Sequence, residues 1–419
     1  MKRMIALFLL LGLALIACPG CETVPETDVW DGSAAEAFGG GEGTETDPYR
    51  IRSAAQLAFL AQEVNAGESY AGKHFSLDCN LDLNRLGWTP IGNGECPFGG
   101  VFDGNGHSIA NLSITVGTRL EAGSDPAEQT QYATGLFGSC ADSVIRNLTI
   151  RNAAITLEAP PEQGDMTVGV LAGTVTADTT AEFSDVTISD AVIENRFQQK
   201  SSPATIIIGG VCGSVRNMPE ANDTSAVTVA RVQSDIRVSI RNGYGAYNFI
   251  GGIIGSMSLK GTGSIQDCAS DLSVEIATDM DGCYGYDKCF GAFGSMLAFN
   301  STVTVANVFS KVAVNKIHDV FHGYEAFRAN AIIGETSQYK QPDGTVTGEL
   351  RLRNLFGFVE QTEESTGETE IDTQLYEIPD HAVYTATNCQ GCEQLPEHHG
   401  LDENVWDLSD PAKPKLKES

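Results

Sequence analysis

The chain has 419 residues, and its 55 acidic and 26 basic side chains give a formal net charge of −29 at pH 7. Nucleic-acid binding requires clustered lysine and arginine, so this balance argues against a nucleic-acid partner. Strong negative charge instead suits a self-repelling protein at the cell surface or in the periplasm, and it permits cation binding.

The N-terminus has the layout of a secretory signal peptide, because Lys2 and Arg3 precede an uncharged stretch at residues 4–17. That stretch is too short for a transmembrane helix. The sequence Leu-Ile-Ala-Cys at positions 15–18 resembles a bacterial lipobox, whose cysteine is lipidated and becomes the new N-terminus. The pattern predicts a lipid anchor at Cys18, with the protein in the outer membrane or at the cell surface. An ordinary cleaved signal is the alternative.

Composition divides the rest of the chain into four segments. Residues 18–47 are rich in Gly, Glu, Thr and Ala, which predicts a flexible acidic tether. We expect residues 48–134 to form an N-terminal cap and the first coils, residues 135–360 a repeat region, and residues 361–419 an acidic loop and a C-terminal cap. The aromatic residues expected to cover the C-terminal end are Tyr376, Tyr384 and Trp406.

One amphipathic helix is predicted from Ser53 to Val64. Apolar residues recur there at helical spacing, Ser53 is a suitable N-cap, and Gly67 lies just beyond as a stop. The apolar residues of the predicted buried face are Ala54, Leu57, Leu60, Ala61 and Val64.

A short motif of small and apolar residues ending in glycine recurs through the repeat region. The closing glycines are Gly138, Gly173, Gly213, Gly255, Gly294 and Gly334. Their spacing is about 40 residues, and self-similarity at this period is typical of a stacked repeat array. Glycine at a fixed place in each repeat fits a corner, where a positive φ or a close backbone approach excludes a Cβ.

A second motif places one polar residue between two apolar residues of an alternating segment. The polar position holds Asn111, Asn147, Asp185, Asp267, Asn307 and Asn354, with Arg231 in one copy. Such short β-branched alternation predicts strands with one buried face. The Asn and Asp side chains form either a row of ligands or a row of turn residues that hydrogen-bond to the backbone, and the second interpretation is favoured.

Together the two motifs predict an all-β fold, a single-stranded parallel β-helix. A unit of short strands cannot bury its apolar face alone, so equivalent strands pair in parallel from one coil to the next. The helix at residues 53–64 would cap the open N-terminal end. In this arrangement Asn147, Asp185, Asp267 and Asn307 must lie in one longitudinal row.

The chain also resembles the GLUG-repeat surface proteins of bacteria. Gly135-Leu136-Phe137-Gly138 is the clearest copy of the motif that names that family, and the resemblance runs from about Trp30 to Val359. Other segments that carry it are Phe38-Gly39-Gly40, Leu81-Asp82-Leu83, Trp88-Thr89-Pro90-Ile91-Gly92 and Phe102-Asp103-Gly104-Asn105-Gly106-His107. The resemblance implies a right-handed parallel β-helix on an exported, adhesin-like lipoprotein, and it implies no shared catalytic site.

Ten cysteines remain besides Cys18. Cys283 and Cys289 bracket a short loop, which predicts a disulfide between them in an exported chain. Three others lie within the repeated apolar motifs and are expected to be buried small hydrophobic residues, namely Cys140, Cys212 and Cys268. Cys389 and Cys392 form a CxxC sequence, for which a local disulfide or two free thiols is expected.

Five tyrosines form the predicted binding site. Tyr244, Tyr284 and Tyr324 are separated by one repeat each, with Tyr247 and Tyr286 beside two of them. Residues in step with the repeat project from the same edge, and tyrosines suit stacking on sugar faces or anchoring of a partner protein. The alternative is that the rings pack against one another to cover loops.

No cofactor is predicted from the sequence, and calcium is the one metal considered. Asp279, Asp281 and Asp287 form a weak candidate calcium site. His318 and His322 have no identifiable third ligand, so we assign them no metal.

The predicted function is adhesion or the binding of a glycan or protein at the cell envelope, without catalysis. Sequence motifs of nucleophilic and phosphate-binding enzymes are absent. One alternative is a polysaccharide-degrading β-helix enzyme, a lyase or a glycosidase, the latter needing two carboxyl groups about 5–10 Å apart. The other is a passive structural surface protein.

Overall fold

The computed structural model describes residues 27–116, 132–158, 165–196, 205–217, 224–242, 248–278, 288–316, 327–340, 346–361 and 384–417. Within these ranges the chain forms one helix, α1 (Ala54–Asn65), and 26 strands. The strands up to residue 195 are β1 (Thr27–Val29), β2 (Tyr49–Ile51), β3 (His74–Leu77), β4 (Asn80–Asp82), β5 (Val101–Asp103), β6 (Ser108–Ala110), β7 (Ser113–Val116), β8 (Tyr132–Thr134), β9 (Phe137–Ala141), β10 (Val144–Arg151), β11 (Ala154–Leu157), β12 (Met166–Gly169), β13 (Ala172–Thr176) and β14 (Thr180–Asn195). The later strands are β15 (Ile206–Gly209), β16 (Cys212–Arg216), β17 (Ala226–Asn242), β18 (Asn248–Thr278), β19 (Lys288–Lys316), β20 (Phe327–Ala329), β21 (Ile333–Lys340), β22 (Val346–Thr347), β23 (Glu349–Gln361), β24 (Tyr384–Gly391), β25 (Trp406–Asp407) and β26 (Lys415–Leu416).

Strands pair in parallel with their equivalents one repeat away. The longest series runs β10, β14, β17, β18, β19, β23 and β24, each strand paired with the next. Of the described strands, 24 belong to one sheet, and the antiparallel pairs are β21 with β22 and β25 with β26. The predicted all-β class is confirmed, with a long parallel sheet as its main element.

Alternate residues of these strands fill one hydrophobic core. Phe102, Phe137, Phe183, Phe290 and Phe293 are completely buried. In β14 the burial alternates along most of the strand, as a strand with one buried face requires. The periodicity in the sequence therefore identified the core face correctly.

Helix α1 begins after the predicted N-cap Ser53 and ends at Asn65, one residue beyond the predicted end at Val64. The Ser53 hydroxyl accepts a hydrogen bond from the Gln56 N–H, and the Asp28 carboxylate accepts one from the Ala54 N–H at 2.7 Å. These two acceptors satisfy donors of the first turn that have no partner within the helix. All five apolar residues of the predicted face are buried, together with Ala58.

The recurring glycines form a column because strand register aligns them. Gly173 lies opposite Gly138 and Gly213, and the same register continues to Gly255 and Gly294. A Cβ on Gly213 would lie 2.6 Å from the Gly173 carbonyl oxygen, and one on Gly255 would lie 2.7 Å from the Gly213 oxygen. Close backbone approach is therefore the reason for glycine in this column.

The polar residues of the second motif, apart from Asn111, form another column, hereafter the asparagine column. The sequence predicts Asn111 at the same position, but it instead lies opposite Asn152, whose Nδ2 donates to Asn111 Oδ1. The members of the asparagine column are Asn147, Asp185, Arg231, Asp267, Asn307, Asn354 and Asn388, aligned by the flanking register pairs. The predicted longitudinal row is confirmed. Every member has a positive φ, from 52° to 57°. Asn and Asp tolerate this left-handed conformation better than other residues with a Cβ, which explains their recurrence.

Side chains of the asparagine column bond to one another, whereas the sequence predicted bonds to the backbone. Asn307 Nδ2 donates to Asp267 Oδ1 at 2.9 Å, and Asn354 Nδ2 donates to Asn307 Oδ1 at 2.8 Å. Arg231 fits the column because its guanidinium donates to the Asp185 carboxylate, with 2.6 Å from Nε to Oδ1. The amide groups are thus occupied along the column, which makes the row structural.

The predicted tether, residues 18–47, needs correction over its described part. Strand β1 pairs with β4, and Trp30, which follows β1, is 7% exposed. Phe38 packs on Tyr49 with ring centroids 4.9 Å apart. The few large apolar residues in this Gly-rich stretch find partners that lie later in the chain, so it folds with the body.

The predicted C-terminal boundary also shifts. Strand β24 pairs in parallel with β23, so the repeat architecture continues beyond residue 360. Residues 395–417, hereafter the strap, lie along the flank of the sheet. His399 O and Gly400 O accept hydrogen bonds from Asn388 and Asn354, respectively.

The strap covers a side of the fold, whereas the sequence predicted a cap on its end. Trp406 is 1% exposed and packs in a cluster with Phe309 and Phe356. Its indole N–H points to Asp267 Oδ1 at 3.4 Å. Trp406 thus is a covering aromatic as predicted, whereas Tyr384 is 47% exposed and covers nothing. Tyr376 lies outside the described residues.

A pair of substitutions at Asn307 separates the two contributions of the asparagine column to stability. Asn307→Gly keeps the left-handed backbone but removes the hydrogen bonds to Asp267 and Asn354, so we expect a loss of about 1–2 kcal/mol. Asn307→Ala also forces a Cβ into that conformation, which adds roughly 0.5–1 kcal/mol. Urea unfolding of both variants measures the difference. Equal losses would show that the backbone conformation does not limit residue choice.

Candidate binding cleft

Several predicted site residues lie outside the described part of the chain. They are Cys18, Tyr244, Tyr247, Tyr284, Tyr286, Tyr324 and Cys283, and also Asp279, Asp281, Asp287, His318 and His322. Cys289 lies on β19, but its side chain is not among those described. A strand follows each of the three tyrosine segments. The first residues of these strands align in register, and they are Asn248, Lys288 and Phe327. The tyrosine row and the disulfide therefore stay predictions.

The cysteines predicted to be buried are buried. Cys140, Cys212 and Cys268 are at most 1% exposed, and burial raises the pKa of Cys140 and of Cys268 to about 12. Neutral thiols of this kind are inert packing groups. Cys389 and Cys392 are free thiols, the second of the two expectations for the CxxC sequence.

The described ranges hold neither a cluster of metal ligands nor a membrane-spanning helix. No group of three or more His, Cys, Asp or Glu side chains there has the arrangement to hold a metal ion. Among the same residues, no helix is both long enough and apolar enough to cross a membrane.

A cleft of about 470 Å³ lies beside α1 and is hereafter called the tryptophan cleft. One wall is the C-terminal half of α1, and the other consists of the segments around Trp30 and Trp88. The space stays open because most of the residues that line it are alanine or glycine. The small lining residues are Gly32, Ala34, Ala58, Ala61, Ala66 and Gly87.

The two tryptophans of the cleft are fixed by their own contacts. Their rings meet edge to face, with centroids 5.4 Å apart and an interplanar angle of 68°. Trp30 Nε1 donates to Ser33 O at 2.7 Å, and Trp88 Nε1 donates to Leu136 O at 3.1 Å. Because both N–H groups are occupied, the rings offer only carbon surface to the cleft.

Polar groups in the cleft are neutral. Gln62, Asn65 and Thr89 line it, and the described lining includes no ionisable side chain. Asn65 is held by a hydrogen bond from its Nδ2 to Pro90 O at 2.9 Å. Gln62 and Thr89 are exposed, and the polar atoms of their side chains bond to no other described residue. The arrangement is suited to binding, with an apolar floor and a few adjustable hydrogen-bonding groups.

A smaller cleft of about 220 Å³ lies between the strap and strands β17, β18 and β19. Asp235 and Asp271 occupy register positions opposite each other there, with Lys413 of the strap nearby. Burial, followed by the charge of Asp271, raises the pKa of Asp235 above its usual value. The charges of Arg237 and Lys413 oppose this shift only in part.

Sequence reasoning missed the tryptophan cleft, although Trp30 and Trp88 both belong to segments that it singled out. They are 58 positions apart, and no periodicity links them. The sequence signal for the cleft was the set of small residues on α1 and at its C-cap, because Ala58, Ala61 and Ala66 leave room beside two large rings.

Comparison with known proteins gives two partial relatives. No family model matches the chain. Over 148 residues, 33% of this chain, it is 33% identical to a protein of Evansella cellulosilytica provisionally named a Gly-rich membrane protein. Over 195 residues, 44% of this chain, it is 31% identical to halomucin of Haloquadratum walsbyi. The matches span 14% and 2% of those two proteins, so this chain corresponds to a small part of each.

One solved structure also matches most of the chain. It comes from Bacteroides ovatus and is provisionally named an immunoglobulin A1 protease. The match covers 91% of this chain and 96% of that one, with a TM-score of 0.49 and 16% sequence identity.

The raised pKa of Asp235 gives a prediction about pH. A carboxyl whose pKa is higher in the folded than in the unfolded protein costs stability once it is charged. Asp235→Asn should therefore unfold at a slightly higher temperature than the wild type at pH 7. The difference should shrink as the pH falls and vanish below the ordinary carboxyl pKa of 3.8, where Asp235 is neutral in both the folded and the unfolded protein. A lower melting temperature of the variant at pH 7 would instead show that the attraction to Lys413 dominates.

Proposed function

We propose that this chain is a non-catalytic binding protein of the bacterial cell envelope, built as a right-handed parallel β-helix with α1 capping its N-terminal end. The observation that carries binding is the tryptophan cleft, with fixed aromatic rings, uncommitted neutral polar groups and no ionisable side chain in its described lining. The proposed partner is an extracellular glycan or protein.

The β-helix is supported by the register of the strands. From β10 to β24, parallel pairing joins each strand of the longest series to its equivalent about one repeat away, as in Ile145 opposite Phe183 and Phe183 opposite Val229. A chain that winds once per repeat produces this pattern. The right-handed course and the relation to GLUG-repeat proteins are proposed from the sequence resemblance.

Attachment to the envelope is supported from two sides. The sequence Leu-Ile-Ala-Cys ending at Cys18 has the form of a lipobox. The partial relatives are named as a membrane protein and a mucin, names that are consistent with a place at the surface.

Binding is preferred over hydrolysis because of the chemistry of the cleft. Glycoside hydrolysis by the usual route needs two carboxyl groups that flank the scissile bond. The residues described in the cleft wall provide amide and hydroxyl groups, which bind sugars or peptides but do not transfer protons at neutral pH. The polysaccharide-degrading enzyme and the passive structural protein stay the alternatives.

One panel experiment tests the proposed function. The purified protein without its signal peptide is passed over immobilised neutral and acidic glycans and envelope proteins, and retention and product release are both measured. We expect retention without cleavage. Cleavage of any glycan would favour the enzyme, and neither retention nor cleavage would favour the passive structural protein. The triple variant of Tyr244, Tyr284 and Tyr324 to Ala belongs in the same panel, since its loss of retention would assign binding to the tyrosine row.

The lipid anchor is tested separately at Cys18. Cys18→Ala removes the thiol that would carry the lipid, so the variant should move from the membrane fraction to the soluble fraction. Cys21→Ala is the matched control and should stay with the membrane. Retention of Cys18→Ala in the membrane fraction would contradict lipidation.

A further inference from the structure

We propose that the tryptophan cleft binds a neutral saccharide, such as the end of an uncharged glycan chain. This inference rests on the proposed function, because it names the ligand of the binding site described there. It follows from the size of the cleft, its aromatic floor, its polar rim and its charge.

The size of the cleft fits a small ligand. Its volume of about 470 Å³ lies within the range of roughly 300–1,000 Å³ that is typical of small-molecule sites. Its walls come from α1 and from two segments that are hydrogen-bonded into the sheet, Trp30 N to Asp82 O and Trp88 N to Ser113 O. The site is therefore held open without a ligand, which lowers the entropic cost of binding.

The floor provides apolar contact without competing donors. The C–H groups of a pyranose ring form an apolar face, and aromatic rings are the usual partners for such a face. Trp30 and Trp88 are 7% and 5% exposed and donate their N–H groups to the backbone, so the small part of each ring that a guest meets is carbon. A polar floor would hold water, whereas this one releases it on binding.

The rim provides hydrogen bonds for hydroxyl groups. The side chains of Gln62 and Thr89 are exposed at the cleft and bond to no other described residue, so each has donor and acceptor capacity to spare. An apolar guest such as a leucine side chain would strip water from these groups and leave them unpaired, which is unfavourable. A saccharide pairs with them and covers the rings at the same time.

Charge selects against ionised ligands. The described lining of the cleft has no ionisable side chain, in a chain with a net charge of −29. An acidic sugar would meet no cation in the cleft and would be repelled by the overall charge. A cationic ligand would find no carboxylate lining the cleft. A neutral saccharide needs no charged partner in the cleft and is not repelled by the charge of the protein.

A blocking variant tests the location. A Cβ on Gly87 would have no heavy atom within 4 Å, and the φ of Gly87 is not positive, so Gly87→Leu adds bulk to the cleft without strain. Gly391→Leu is the matched control far along the chain, where the nearest heavy atom to a Cβ is 4.0 Å away. We expect Gly87→Leu to weaken binding of neutral saccharides at least tenfold and Gly391→Leu to leave it unchanged.

A second variant tests the chemistry of the ligand. Gln62→Leu replaces the amide with an apolar group of similar size on an exposed helical position, where leucine is well tolerated. For a saccharide it removes a hydrogen bond, and we expect roughly five- to tenfold weaker binding. For an apolar guest it removes a desolvation cost and should strengthen binding. The sign of the change distinguishes the two ligands.

Tryptophan fluorescence reads out binding directly. The chain has three tryptophans, and Trp406→Phe leaves only Trp30 and Trp88, both in the cleft. In this background the probes are neutral disaccharides of glucose, galactose, mannose and N-acetylglucosamine, with digalacturonate and the capped peptide N-acetyl-trileucine amide for comparison. We expect a saturable spectral change with one or more neutral disaccharides and none with digalacturonate.

Four outcomes would overturn the inference. They are equal binding of digalacturonate, unchanged binding by Gly87→Leu, stronger binding by Gln62→Leu, and no response of the wild-type cleft to any neutral disaccharide. The last outcome combined with retention on the envelope panel would leave the proposed binding function intact and place its site elsewhere. No response to any neutral disaccharide together with no retention on the envelope panel would overturn the proposed binding function as well.

Discussion

Parallel hydrogen bonding between equivalent strands is the constraint on which the rest of this structure depends. It places each residue about 4.8 Å from its counterpart in the neighbouring repeats, so a residue must be compatible with copies of itself above and below. Glycine satisfies this where backbones crowd, as at Gly213, and asparagine where the chain turns left-handed, as at Asn307. Charged residues are poorly compatible with copies of themselves, because like charges in neighbouring strands repel each other. The facing carboxylates of Asp235 and Asp271 are an example, since the charge of Asp271 helps to raise the pKa of Asp235.

Departures from a column show where another element packs. The position two residues after the asparagine column is polar in the earlier strands, with Thr149, Thr187 and Gln233, but holds Ala269, Phe309 and Phe356 in the later ones. The strap packs on the strands that carry these apolar residues, and Gln233 accepts a hydrogen bond from its far end at Leu416 N. The change of polarity along one column is thus explained by a segment that lies later in the chain and is not part of the repeats.

The sequence predicted what depends on local period. The limits of α1, the glycine and asparagine columns and the burial of Cys140, Cys212 and Cys268 follow from spacing within or between repeats. The strap and the tryptophan cleft could not be predicted in this way, because each joins segments that share no repeat relation. Trp406 contacts a residue 139 positions earlier, and no pattern in a single sequence specifies such a pair. Phe309 and Phe356 indicate that a segment packs on this side of the sheet, because their column is otherwise polar. This can be recognised only once the strand register is known.

The strap also has a consequence for how this protein can evolve. It runs from Asn388 on β24 past Asn354 and Asp267 to Gln233 on β17, so its contacts span five successive strands of the asparagine column. Repeat arrays commonly change length by duplicating or deleting a unit. Here a unit gained or lost between β17 and β24 would shift every contact of the strap by one strand spacing. The number of repeats in this part of the chain is thereby set by the length of a segment that is not itself a repeat.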